Sequence, residues 1–240
     1  MNQIITKVLP SRIYQAILAY WRRGYQPVRW GNMRRLTPVS RVFGIDRGQC
    51  IDRYYIEAFL QKQQNDIQGR VLEIGDSSYT RKFGGQRVKR CEVLHAKPGN
   101  SQATFVGDLA TGEGIPKALF DGMILTQTFP FIYDVPAALV NSYSALKPGG
   151  VLLATFPGIS QISRYDMDRW GDYWRFTDAS ARRLFGHVFG DEQVTITTYG
   201  NVLVACAFLQ GLAAEELKPK ELNYHDPDYQ LLITVRAEKK

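Results

Sequence analysis

Apolar residues along this chain keep two rhythms. Early on they recur at helical spacing. Ile13, Tyr14, Ile17, Leu18 and Trp21 mark one amphipathic helix, and Ile51, Tyr54, Tyr55, Ala58, Phe59 and Leu60 mark another over 51–64. Between them the Pro- and Gly-punctuated stretch 26–48 reads as a loop or arm. From Gly69 onward the apolar residues come in short blocks divided by polar breaks. The blocks predict strands at 70–75, 90–95, 103–106, 121–126, 150–155, 193–200 and 230–237. Helical spacing returns between them at 79–84, 134–146, 177–188 and 202–215. Strand alternating with helix implies an α/β fold with a parallel sheet and crossover connections. Lys147-Pro148-Gly149-Gly150 predicts a turn that stops a helix and reverses the chain before a buried strand.

At 240 residues the chain holds one full domain, expected over 51–240, preceded by an N-terminal extension over 1–50. The formal net charge is +7, and Arg12, Arg22, Arg23, Arg29, Arg34, Arg35, Arg41, Arg47 and Arg53 all precede residue 60. A basic face of this kind serves anionic partners, an interdomain contact or solubility alone. The stripe on the first helix would pack on the body, on a second subunit in a homodimer, or weakly on an anionic membrane surface. No apolar run reaches membrane-spanning length. Cys50, Cys91 and Cys206 are scattered, without the spacing of a disulfide framework or a zinc site, so no metal is expected. Reduced thiols fit a cytoplasmic setting.

The chemistry concentrates at four landmarks. Val71-Leu72-Glu73-Ile74-Gly75-Asp76 is an apolar strand that carries an acid and breaks at glycine. Asp108-Leu109 follows a later apolar stretch, then comes Phe120-Asp121 opening a strand that ends at Thr126-Gln127, and then Leu146-Lys147-Pro148-Gly149-Gly150. A parallel strand ending in Glu-x-Gly offers backbone N–H groups where doubly wound folds hold nucleotide-like cofactors. In this order the landmarks resemble the core motifs of class I S-adenosylmethionine (SAM)-dependent methyltransferases. The resemblance covers about residues 50–237. It implies a Rossmann-like seven-stranded sheet, mostly parallel with a C-terminal antiparallel strand, SAM as cofactor and S-adenosylhomocysteine as product. Ile51-Asp52-Arg53-Tyr54-Tyr55-Ile56-Glu57, Thr126-Gln127-Thr128 and Trp170 to Thr177 further resemble a bacterial subgroup associated with glycosyltransferases. That narrower likeness implies a sugar, glycan or secondary metabolite as methyl acceptor and a glycosyltransferase as partner. A catalytically weak module serving such a partner is its alternative. RNA methylation, suggested by the basic arm, lacks an RNA-binding signature in the chain.

The resemblance also implies roles. Gly75 lets the chain pass close beneath the methionine part of the cofactor. Glu73 is placed to attract its amino group, and Asp76 follows in the same loop. Asp108 would take the adenine amine, or else cap the next turn, and Leu109 would pack on the ring. Thr126 and Gln127 stand at the mouth of the site. Arg53 and Tyr54, on the helix before the first strand, would meet the cofactor carboxylate. In that family the second strand ends in an acid that grips the ribose. Here it ends in His95 and Lys97, and Glu92 lies too early by alternation to serve, so His95, a backbone group or an acid from elsewhere would take the ribose.

After the fifth strand, Arg164, Tyr165, Asp166, Asp168, Arg169, Trp170, Asp172, Tyr173, Trp174 and Arg175 crowd one loop. Aromatic faces stack on rings, arginines bind anions and carboxylates bind hydroxyls. Arg164, Trp170, Tyr173, Trp174 and Arg175 are therefore expected to bind the acceptor, with Asp168 or Asp172 as general base. The competing reading has the tryptophans pin the loop to the core and Asp172 pair with Arg175.

Overall fold

The computed structural model describes residues 11–25 and 31–240. Contacts divide the chain into Met1–Thr37 and Pro38–Lys240. In the first unit α1 spans Ser11–Tyr25, where the spacing puts a helix. Of the arm expected over 26–48, residues 26–30 lie outside the described residues.

The second unit is built on a seven-stranded sheet. Its strands are β1 (Gly69–Ile74), β2 (Val88–His95), β3 (Phe105–Val106), β4 (Phe120–Thr126), β5 (Leu146–Pro157), β6 (Val194–Tyr199) and β7 (Leu232–Glu238), in the spatial order β3-β2-β1-β4-β5-β7-β6. Pairs from β3 through β5 are parallel, and β7 runs antiparallel to both neighbours. The flanking helices are α2 (Ile51–Lys62), α3 (Val135–Ala145), α4 (Arg164–Met167), α5 (Asp178–Phe189), α6 (Val202–Leu209) and α7 (Pro219–Leu222).

Register explains why the central strands read as unbroken apolar runs. Leu72, Met123 and Leu152 are paired across β1, β4 and β5 and share one core with Leu139 of α3 and Phe185 of α5. Their neighbours Val71, Ile124 and Leu153 belong to the opposite core, with Ile56 and Leu60 of α2 and Phe208 of α6. A strand covered on both faces needs apolar residues at odd and even positions alike. Local signals set the helix starts. The Asp134 side chain accepts from Ala137 N–H at the head of α3, and Thr177 and Ser180 form a reciprocal capping box before α5.

Contacts group Pro38 to Cys50, expected in the N-terminal extension, with the second unit. Val39 and Ser40 N–H both donate to the Gln210 carbonyl, at 2.8 and 3.1 Å, and Cys50 forms a β-bridge with Ala213. The short helix expected over 79–84 is present: residues 78–79 are α-helical and run into a wide π-turn, Thr80–Gly84. The helix expected over 202–215 stops at Leu209, where Gly211 turns the chain with φ +69°. Finally, Lys147-Pro148-Gly149-Gly150 bulges inside β5 rather than preceding it. Leu146 pairs with Phe120 and Val151 already pairs with Gly122.

Candidate functional site

Two cavities adjoin at the carboxyl edge of the sheet, where β1, β2, β4 and β5 end. The first, of about 640 Å³, is lined by Gly75, Asp76, His95, Asn100, Asp108 and Leu109 among others. The second, of about 580 Å³, is lined by Arg41, Phe43, Asp52, Arg53, Arg164 and Arg175 among others. Thr126, Gln127, Phe131, Tyr165 and Asp166 border both. Gln127 thus stands at the partition between the cavities, and its backbone is left-handed, with φ +50°. Such a conformation is uncommon for a residue with a side chain and stores about 1 kcal/mol or more of strain. It is held there by its N–H, which donates to the Thr155 carbonyl at 3.0 Å and to Thr155 Oγ1 at 3.1 Å.

Strand ends and the loops that follow them shape the first cavity. Gly75 has φ +82°, and a Cβ built on it would meet no protein atom within 4 Å, so a side chain there would stand in open cavity. Gly75 N–H continues the sheet ladder to the Leu94 carbonyl at 3.0 Å. Asn100 Nδ2 donates to the Gly75 carbonyl at 2.6 Å and ties the loop after β2 to the loop after β1. Asp76 and Asp108 each accept from a backbone N–H two residues on, Ser78 and Ala110 respectively, both at 2.7 Å. These Asx-type turns fix each carboxylate beside the cavity. Leu109 is buried. His95 Nδ1 lies 2.7 Å from the Lys97 carbonyl, and its ring meets Trp170 edge-on at 5.7 Å.

Several expected site residues stand elsewhere. Glu73 is buried, lines neither cavity, and accepts from the N–H groups of Tyr79 and Thr80 at 3.1 and 2.7 Å. Its carboxylate holds the loop after β1. Desolvation raises its pKa, against the lowering effect of those same amides. Tyr54 turns away, its hydroxyl donating to Asn223 Oδ1 at 3.1 Å beside a third cavity. Arg53 lines the second cavity, not the first, and donates to the Tyr79 hydroxyl at 3.0 Å. Trp170 and Tyr173, expected at the acceptor, line the first cavity. Trp174 lines neither. Its indole N–H is shared between the Ile132 and Tyr133 carbonyls at 3.2 and 3.3 Å, which pins the loop. Glu92 is buried and accepts from Arg70 and Arg90, remote from the ribose role.

Both expected bases are held in ion pairs. Asp168 is mostly exposed, pairs with Arg164 at 3.0 Å, and borders neither cavity. Asp172 borders the second cavity, yet its side chain is 1% exposed and paired with Arg175. Its Oδ2 also accepts from Ser163 N–H at 2.9 Å. Those three hydrogen bonds engage both carboxylate oxygens. A further carboxylate on the wall of the second cavity is Asp52, in the first turn of α2. One oxygen accepts from Arg53 N–H at 2.7 Å. Desolvation raises its pKa, although the Arg53 charge and that amide pull it down. The sequence places Asp52-Arg53-Tyr54-Tyr55 on a helix that closes the site from the side opposite the aromatic loop, without singling out Asp52. The available signal was its place one step off the Ile51, Tyr55, Phe59 stripe. Asn100 was missed too; nothing in Pro98-Gly99-Asn100 distinguishes it from an ordinary turn residue.

Among the described residues no helix is long and apolar enough to cross a membrane, and no His, Cys, Asp and Glu cluster could hold a metal ion. No family model matches the sequence, and no curated protein does. Solved structures do match. A SAM-dependent methyltransferase from Archaeoglobus fulgidus superposes with a TM-score of 0.51 at 13% identity, covering 78% of this chain and 94% of its own. The N-methyltransferase NodS from Bradyrhizobium japonicum, in complex with S-adenosylhomocysteine, gives 0.48 at 14% identity over 83% and 93%. The mixed seven-stranded sheet with its antiparallel C-terminal strand is therefore the Rossmann-like methyltransferase fold.

Proposed function

We propose that this chain transfers a methyl group from SAM to an oxygen or nitrogen of a small acceptor, a sugar or secondary metabolite among them. The observation that carries the reading is the pair of cavities meeting at Thr126 and Gln127. One suits a nucleoside and the other an acceptor, and methyl transfer requires the two to touch at one point. The first cavity's residues fit SAM. Gly75 leaves the space a cofactor would fill, Asp76, Asp108 and His95 offer polar groups for the amino, adenine and ribose positions, and Leu109 and Trp170 supply apolar surface. When bound, SAM would supply a methyl carbon already activated by its sulfonium.

What remains for the protein is alignment, exclusion of water and removal of one proton. Gln127 and Thr126 would set the separation of donor and acceptor. Tyr165 and Asp166, bordering both cavities, would cover the junction. Asp52 would take the acceptor's proton as the new O–C or N–C bond forms. A carboxylate raised toward neutrality by burial is a better base than an exposed one. The second cavity, with Phe43, Pro130, Phe131, Phe208 and Leu231 beside Arg41 and Arg53, suits an acceptor that has an apolar face and an anionic or hydroxylated edge.

Calorimetry with SAM and with S-adenosylhomocysteine tests this directly. Binding of both is expected, and Asp108→Ala weakens both. A folded protein that gives no heat with either ligand overturns the proposal.

A further inference from the structure

The whole charge excess of this protein sits at one end. Residues 1–37 contain Lys7, Arg12, Arg22, Arg23, Arg29, Arg34 and Arg35 and no Asp or Glu. Removing those seven from the chain's 30 Lys and Arg leaves 23, against 23 Asp and Glu, so Pro38–Lys240 is formally neutral. The same short unit carries α1. On that helix Ile13, Ile17 and Trp21 recur every fourth residue and are 49%, 42% and 69% exposed. At 100° per residue Arg12, Arg22 and Arg23 fall on the opposite side from this stripe, with Gln15 between them.

We propose that α1 docks on an anionic bilayer surface, lying in the interface with Ile13, Ile17 and Trp21 toward the acyl chains and its arginines at the headgroups. A helix with one aliphatic and aromatic face and one cationic face gains from both parts of such a surface. A nucleic acid would satisfy the arginines and leave two exposed isoleucines in water. The charge segregation carries the same argument. A neutral body feels no electrostatic pull toward an anionic leaflet, whereas a unit bearing all seven surplus charges does. The proposal is independent of the two cavities and of the reaction assigned to them.

The test uses the full chain in sedimentation with vesicles of phosphatidylcholine alone and of phosphatidylcholine mixed with phosphatidylglycerol. Binding is expected to the mixed vesicles only, and high salt releases it. Arg22→Gln with Arg23→Gln lowers the partition coefficient about 30-fold. Ile17→Glu with Trp21→Glu abolishes binding while leaving the melting temperature of the body unchanged. Absence of binding to the mixed vesicles overturns the proposal, as does equal binding to phosphatidylcholine alone or binding indifferent to both variants. Capture of a single-stranded RNA probe without vesicle binding assigns the charge to nucleic acid and overturns it. So does a dimer that binds no vesicles and dissociates on Ile17→Glu.

Discussion

Arg175 grips Asp172 with two prongs, Nη1 at 2.5 Å from one carboxylate oxygen and Nη2 at 3.0 Å from the other. The same guanidinium reaches the Gln161 carbonyl at 2.6 Å and, through Nε, the Ser160 carbonyl at 3.4 Å. One arginine thus staples both ends of the loop that roofs the second cavity. The bidentate form is the strong form of this interaction, and the buried carboxylate depends on it.

Asp172→Asn therefore acts on the loop and not on proton transfer. It leaves the Arg175 charge with a weaker partner inside a half-closed site, at a cost of about 2–4 kcal/mol in unfolding free energy. Methyl transfer falls, but the pH dependence of the residual rate keeps its wild-type shape. Denaturant unfolding and a pH–rate profile check the two halves. A lost acidic limb in that profile would return the base to Asp172.

Gln127→Gly separates strain from chemistry. Glycine accepts φ +50° without penalty, so the variant gains about 0.5–1 kcal/mol of stability. The side chain that borders both cavities is lost, so catalysis falls while SAM and S-adenosylhomocysteine still bind. Thermal melting, calorimetry and turnover measured together decide it. A Gln127→Gly protein that is less stable than wild type would mean the backbone there is not strained.

The sequence made the frame legible because the frame rests on local rules. Short apolar runs bounded by turn residues fit strands covered on both faces, and Asp134, Thr177 and Gly211 act within their own turns. The loop landmarks after β1, β3 and β4 were placed for the same reason. Gly75, Asp108 and Gln127 occupy strand ends, and strand ends define the sheet edge. What the sequence could not reveal was direction. Glu73 and Asp76 are three residues apart, yet one faces the loop's amides and the other a cavity. Trp170 and Trp174 are one helical turn apart in sequence but lie in an irregular loop, so periodicity said nothing of which would reach the cofactor side. Asp52 is distant in sequence from Thr126, Gln127, Tyr165 and Asp166, which border both cavities. Only the packing of α2 against the sheet edge brings it there.

Gly75→Ala tests the first cavity. A methyl group at φ +82° costs roughly 1–2 kcal/mol of backbone strain, and it projects into the space assigned to the cofactor. The expected result is a modest drop in melting temperature and at least a tenfold weaker affinity for S-adenosylhomocysteine, read by calorimetry. Equal affinity in the variant would move the ligand away from the β1 loop.

Asp52→Asn gives opposite signs for stability and for rate. Burial raises the Asp52 carboxyl above its ordinary value, so the folded chain holds that proton more tightly than the unfolded chain does. The group's favourable contribution is then complete at pH values below the ordinary carboxylate range, and it declines as pH climbs from there through the raised native value. At neutral pH the ionised, desolvated carboxylate is a net cost. Asparagine removes it, so the variant melts higher than wild type at neutral pH, and the difference shrinks in acid. Methyl transfer to a hydroxyl acceptor falls by about 10²–10⁴-fold, and the acidic limb of the rate profile disappears. Melting curves across pH, paired with rates over the same range, measure both. A variant that keeps the wild-type rate removes Asp52 from proton transfer, whatever its stability.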